Sequence, residues 1–229
     1  MTKAILLLLA ALAFAAAPFF SPFNGFDPNL YPVRQDDPPV QPAGYAFAIW
    51  GPIYLGLIVH AGFGLWKRSS DPVWDSVRLP LTLSLVIGAP WLMVANQNPP
   101  AATAMIWGML ITALWAFFKT SDAQDRWLLQ TPVAVYAGWL SAASFVAIGL
   151  MLAGYGVVSE DTAALIALAL AVVFAFVIQG RTHRAPEYGA TVVWALVAIM
   201  IANWGGNAAI LGLAGTGIVA LVFSWGRSS

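Results

Sequence analysis

The sequence predicts an all-α fold, a polytopic transmembrane helical bundle of about eight spans. Three observations carry this. Of the 229 residues, 60% are apolar and only 9% are charged. Mean hydropathy is +0.79, above what a water-soluble domain needs to fill its core. The apolar residues also gather into runs of about 20, the length that crosses ~30 Å of hydrocarbon, bounded by charge, Pro or Gly clusters.

The first run, 3–20, follows Lys3 and has the Ala/Leu composition of a secretory leader. Pro18 would sit at or beside the scissile bond, so the segment is expected to stay as a span. Residues 21–43 are the one long connection; Pro28, Pro32, Pro38, Pro39 and Pro42 favour extended backbone that cannot continue a helix. This loop reads as a lid, with a plain tether as the alternative. The second run, 44–66, contains YAFAIWGPIYLGL, in which Phe47, Trp50 and Tyr54 follow i, i+3, i+7 spacing and share one helix face. Pro52 has no amide hydrogen, so the Ala48 carbonyl should lose its partner and the span should bend there. His60 is the one ionisable base inside any run, either a functional group or an interhelical hydrogen bonder. The third and fourth runs are 79–96 and 101–118. The fifth, 132–154, places Tyr136, Trp139 and Ala143 on one face. Runs 163–180, 188–204 and 207–225 complete the set.

An even number of spans puts both termini on one side. Lys3, Lys67, Arg68, Arg78, Lys119, Arg126, Arg181, Arg184 and Arg227 fall at the termini or in the even-numbered turns, and Arg34 alone falls opposite. That bias predicts cytoplasmic N- and C-termini in a cell (inner) membrane protein.

Composition also narrows function. Zero net charge and a pI near 6.7 remove the basic footprint of a nucleic-acid binder. Without cysteine there is no thiolate nucleophile, iron–sulfur cluster or cysteine zinc site, and two histidines far apart are a thin basis for any metal. No Asp or Glu lies inside a predicted span, which argues against acid–base catalysis and against proton- or sodium-coupled transport. The expectation is a non-enzyme with no required cofactor.

What remains is aromatic. Trp66, Trp74, Trp127, Trp204 and Trp225 lie near span ends, where indoles anchor at the headgroups. Trp50, Trp91, Trp107, Trp115, Trp139 and Trp194 lie within the runs, where a buried indole N–H needs a partner that lipid cannot supply. The faces on spans two and five either wall one cavity or pack helix against helix.

QPAGYAFAIWGPIYLGL at 41–57, GAPWLMVAN at 88–96, TPVAVYAGWLSAAS at 131–144 and GATVVWALVAIMIAN at 189–203 together resemble the TspO/MBR family, in its long, eight-span bacterial branch. The resemblance implies a five-helix core over 1–154, under the loop 21–43, with a three-span segment over 155–229 packed on it. It also implies an aromatic-lined cavity for an apolar planar ligand, a tetrapyrrole such as haem or protoporphyrin, or a sterol. By position the site would be Tyr45, Phe47, Trp50 and Tyr54 in span two, Trp91 in span three, and Tyr136 and Trp139 in span five, with Pro132 and Gly138 beside them. Two positions where the family often has Asn hold Gly88 and Ala147 here.

Two functions follow as expectations. One is a sensory or transport role as a receptor or carrier for such a ligand. The other is a non-catalytic scaffold subunit packing against membrane proteins or pigments. The partners expected are the lipid bilayer, an apolar small molecule, and a second copy or another membrane protein.

Overall fold

Helix starts are set by prolines and short polar caps. In the computed structural model, which describes residues 1–23, 25–120, 125–182 and 185–226, the helices are α1 (Thr2–Phe20), α2 (Trp50–Lys67), α3 (Pro72–Gly88), α4 (Trp91–Ala95), α5 (Pro99–Phe118), α6 (Arg126–Gly154), α7 (Glu160–Arg181), α8 (Pro186–Ala202) and α9 (Ala208–Gly226). Short 3-10 stretches cover Pro28–Leu30 and Gly44–Ile49, the second running directly into α2. Among the described residues there is no strand. Asp71 accepts from the amides of Val73 and Trp74 at 2.9 and 3.2 Å, and Asn98 from that of Ala101 at 3.0 Å. In both helices a proline follows at the first position, where a missing N–H costs nothing.

Seven segments are long and apolar enough to cross a membrane, with α3 and α4 counted as one and the 3-10 stretch counted with α2; the apolar α8 is shorter. Three boundaries differ from the sequence reading. The third span starts at Pro72, not 79, because the Asp71 cap carries the helix through the polar Asp75 and Arg78. It then breaks at Ala89 and Pro90 before α4. The fifth begins at Arg126, not 132, since Pro132 lies inside the helix without ending it. Pro52 falls in the first turn of α2, where its lost donor is tolerated, and the Ala48 carbonyl expected to be unpaired is met by the Trp50 amide where the 3-10 stretch passes into α2.

The long helix α6 is the axis of the packing, touching α2, α5, α7 and α8. Buried hydroxyls fix its register. Ser84 on α3 donates to the Met109 carbonyl of α5 at 2.8 Å, which leaves Tyr136 of α6 to donate to Ser84 at 2.9 Å. Tyr188 of α8 donates to Ser141 of α6 at 2.9 Å. Gly138 lets α8 come close: a Cβ there would lie 2.5 Å from the Tyr188 carbonyl oxygen.

Polar side chains close the end of the bundle where the chain begins. Arg78 is 1% exposed and donates to the Gly64, Arg68 and Ser69 carbonyls at 3.1, 2.7 and 3.0 Å, satisfying the C-terminus of α2. Arg68 clamps Asp125 at 2.7 and 3.1 Å, and Arg126 pairs with Glu187 at 2.6 Å. At the opposite end the proline-rich loop is pinned down. The Val33 amide donates to the Gly154 carbonyl at 2.8 Å, and Tyr31 and Val40 rest on Gly154 and Gly149 of α6. The Ala43 amide and Asn203 tie it to α8, through Ala198 O at 3.1 Å and Pro39 O at 2.9 Å.

Candidate functional site

The break at Ala89–Pro90 starts a new helix at Trp91, and the indole N–H of Trp91 donates to the Ala102 carbonyl of α5 at 2.9 Å, which fixes the ring. Across from it, the 3-10 stretch presents Phe47, and Trp194 of α8 holds that stretch by donating to the Ala46 carbonyl at 3.0 Å. Trp139 of α6 completes the arrangement, its ring edge-on to Phe47 at 6.0 Å. These three rings line one apolar cavity beneath the loop, together with Ile106, Ala143 and Ala195.

The loop itself fills most of the space. Phe23 meets Trp91 at 5.2 Å and Phe47 at 6.3 Å, both edge-to-face, and Phe26 meets Trp91 at 6.2 Å. The volume left is about 50 Å³, against the roughly 300–1,000 Å³ of ordinary small-molecule sites. A macrocycle therefore needs the positions that Phe23 and Phe26 hold. Among the described residues the lining holds no His, Cys, Met or Tyr. The places of Gly88 and Ala147 fit this apolar character. Ala147 is in the wall, and Gly88 leaves a notch that Phe14 enters, a Cβ there being 2.6 Å from the Phe14 ring.

Of the seven residues proposed from the sequence, Phe47, Trp91 and Trp139 line the cavity. Trp50 and Tyr54 stack on each other at 5.4 Å one layer behind, Trp50 edge-on to Trp139 at 6.0 Å. Phe14 of α1 seals that layer, 5.8 Å from Trp50, 5.2 Å from Tyr54 and 5.7 Å from Tyr136. Tyr136 is wholly buried and committed to Ser84. Tyr45 is 42% exposed on the outside of the bundle, edge-on to Trp194 at 5.4 Å. The two aromatic faces thus do both things at once, walling a cavity near the loop and packing ring on ring deeper in. Phe14, Phe23, Phe26 and Ala195 were not singled out from the sequence. The two loop phenylalanines carried a readable signal, being bulky aromatic residues in a proline-rich connection between spans. Ala195 carried none.

Other sequence readings resolve as follows. His60 is 1% exposed; its Nδ1–H donates to the Leu128 carbonyl of α6 at 3.0 Å and its ring stacks on Trp74 at 5.0 Å. Trp74 is no interfacial anchor: it is 2% exposed, packs on Gly64 and donates to Asp125 at 3.3 Å. Trp225 lies against Gly189 of α8, so it too has a packing role. Trp66, Trp127 and Trp204 are exposed at helix ends, as anchors should be. The indole nitrogens of Trp107 and Trp139 are buried without an acceptor. His183, Arg184 and Arg227 lie outside the described residues. Among the described residues no cluster of three or more His, Asp or Glu could hold a metal ion.

No curated protein and no solved structure matches the chain. A family model described as TSPO-like protein matches residues 2–226. With nearly its whole length covered and its helices apolar enough to span a bilayer, the chain belongs to the TSPO-like family of multi-pass membrane proteins.

Proposed function

We propose that this protein is a non-enzymatic receptor or carrier that binds an apolar planar molecule of the tetrapyrrole class in the cavity between the 3-10 stretch Gly44–Ile49, α4 and α6, with the termini in the cytoplasm. The observation that carries this reading is the convergence of Phe47, Trp91 and Trp139, from three separate elements, on one apolar space capped by Phe23 and Phe26. Flat aromatic walls suit a flat ligand, and the unpaired Trp139 N–H is a donor within the wall. The test is quenching of intrinsic tryptophan fluorescence by protoporphyrin in detergent, with affinity taken from the midpoint. Trp139→Ala and Phe47→Ala should weaken binding about fivefold or more, the contribution of one lost ring contact. Trp204→Ala, an exposed end-anchor, should leave the midpoint unchanged. Absence of saturable quenching by the wild type would refute the reading.

A scaffold role has its own observation. A cleft of about 450 Å³ opens on the flank of the bundle between α2 and α8, with Ile49, Pro52, Val135, Ala190 and Trp194 in its walls. Its apolar character suits a helix or lipid from outside.

A further inference from the structure

A second cavity lies beside the first and has the opposite chemistry. It measures about 320 Å³ and is lined by loop residues 37–39 and 41–44 and by Ala202 and Asn203 at the end of α8. Gln41 and Pro42 line both spaces, so two side chains are the partition between a polar vestibule and the apolar chamber.

The side-chain groups left open in the vestibule are mostly acceptors. Pro38, Pro39 and Pro42 have no N–H; the Pro38 carbonyl already accepts from the Gln41 amide at 2.9 Å and the Pro39 carbonyl from Asn203, each with a second lone pair left. Asn203 spends its amide donors on the Pro39 and Ile199 carbonyls at 2.9 and 2.8 Å, which leaves its oxygen as the remaining function. The Ala43 amide is committed to Ala198 O at 3.1 Å. Gln41 can donate or accept. Among the described residues Asp37 is the one charged residue in the lining, and its neighbour Asp36 is already paired with Arg34 at 2.6 Å. A carboxylate entering this space would face like charge and lone pairs, whereas an ammonium or other donor would face partners.

We infer that the two cavities form one bipartite site, and that its ligand is an amphipath with an apolar planar body for the chamber and a cationic, hydrogen-bond-donating arm for the vestibule. This rests on the reading of the aromatic cavity as a ligand site and narrows it, since a macrocycle bearing free carboxylates matches only the inner half.

The experiment compares two probes that share a ring system, protoporphyrin and its bis(aminoethyl) amide, which replaces both carboxylates by ammonium groups. Binding of each to the full chain is measured by tryptophan quenching in neutral detergent, for the wild type and for Asp37→Asn. Asp37 has a φ of +48°, and Asn tolerates that left-handed backbone, so the variant keeps its fold. The wild type should prefer the ammonium probe by about twofold to fivefold, the scale of one solvent-accessible ion pair. Asp37→Asn should abolish that preference without weakening the dicarboxylate. Equal binding of both probes by the wild type, or a preference that survives in Asp37→Asn, would overturn the bipartite site while leaving the aromatic cavity standing. Saturable binding of neither probe would overturn both.

Discussion

Pro132 removes an amide from the second turn of α6, and the carbonyl that loses its partner is that of Leu128, one turn earlier. His60 reaches across from α2 and donates to this same carbonyl at 3.0 Å. The intramembrane histidine is therefore a repair of a proline defect in a neighbouring helix, made where no water can substitute. Gly56 lets the two helices close up, since a Cβ there would lie 3.3 Å from Pro132 Cβ. Replacing His60 with Leu removes the donor and leaves a buried carbonyl unsatisfied, a cost of about 1–3 kcal/mol. Pro132→Ala supplies an N–H to Leu128 from within α6, so His60→Leu should cost much less in that background. A double-mutant cycle, read from reversible unfolding in mixed SDS micelles, should give a coupling of about 1 kcal/mol or more. The imidazole of the wild type should carry its proton on Nδ1, visible in the ¹⁵N shifts of labelled His60. Effects of the two substitutions that add to within ~0.3 kcal/mol would refute the repair.

The clamp at Asp125 predicts a pH dependence. The hydrogen bond from Arg68 holds its carboxyl below the usual carboxylate range, so the stabilisation is complete above the unfolded value of about 4 and is lost as pH falls through the lowered one. The unfolding midpoint should be flat near neutrality and drop in acid, less steeply in Asp125→Asn. Because the chain has no cysteine, topology can be read from single replacements: with cytoplasmic termini, Val157→Cys should react with an impermeant thiol reagent on intact cells and Ser70→Cys should not. The reverse labelling would invert the orientation. Trp194→Phe keeps a ring beside Tyr45 but deletes the donor to Ala46 O, so amide exchange across Gly44–Ile49 should accelerate and protoporphyrin binding weaken. Unchanged exchange there would show that the indole N–H does not hold the 3-10 stretch.

Spans are the most legible part of a membrane sequence, because backbone satisfaction in lipid forces each apolar run into a helix of predictable length. The misplacements have a common cause. A hydropathy reading stops at charge, yet Arg78 is buried by serving as the cap of α2, and the helix carrying it begins at Pro72, nearly two turns before that residue. Trp74 looked like an anchor for the same reason, being near polar residues; its partner Asp125 is 51 residues away in sequence. Periodicity brought Phe47, Trp50 and Trp139 together correctly, but it carries no depth, so it could not tell the cavity wall from the packed layer behind it. Tyr45 shows a different limit: it came to the site by the family resemblance, whereas α-helical spacing already sets it about 200° round from Phe47, in keeping with its place outside the bundle, edge-on to Trp194.

Of the helices beyond residue 154, α8 borders the candidate site. Ala195 is in the chamber wall, Asn203 is on the vestibule rim, and Trp194 between them fixes the segment that carries Phe47. Trp194 and Ala195 lie on α8 and Asn203 directly follows it, and the hydroxyl of Tyr188 and the notch at Gly138 hold this helix against α6. A small residue at 195 and a close α6–α8 approach are one arrangement: with α8 this near, a larger side chain there would occupy the little volume that remains. Any ligand entering beneath the loop must therefore displace Phe23 and Phe26, because the α8 side is built on backbone contact and cannot yield without separating two packed helices. The loop is tied on both sides of the phenylalanine pair, by Asn96 donating to Ser21 Oγ and the Pro22 carbonyl at 3.0 and 3.1 Å and by the bonds of its 31–43 half to α6 and α8.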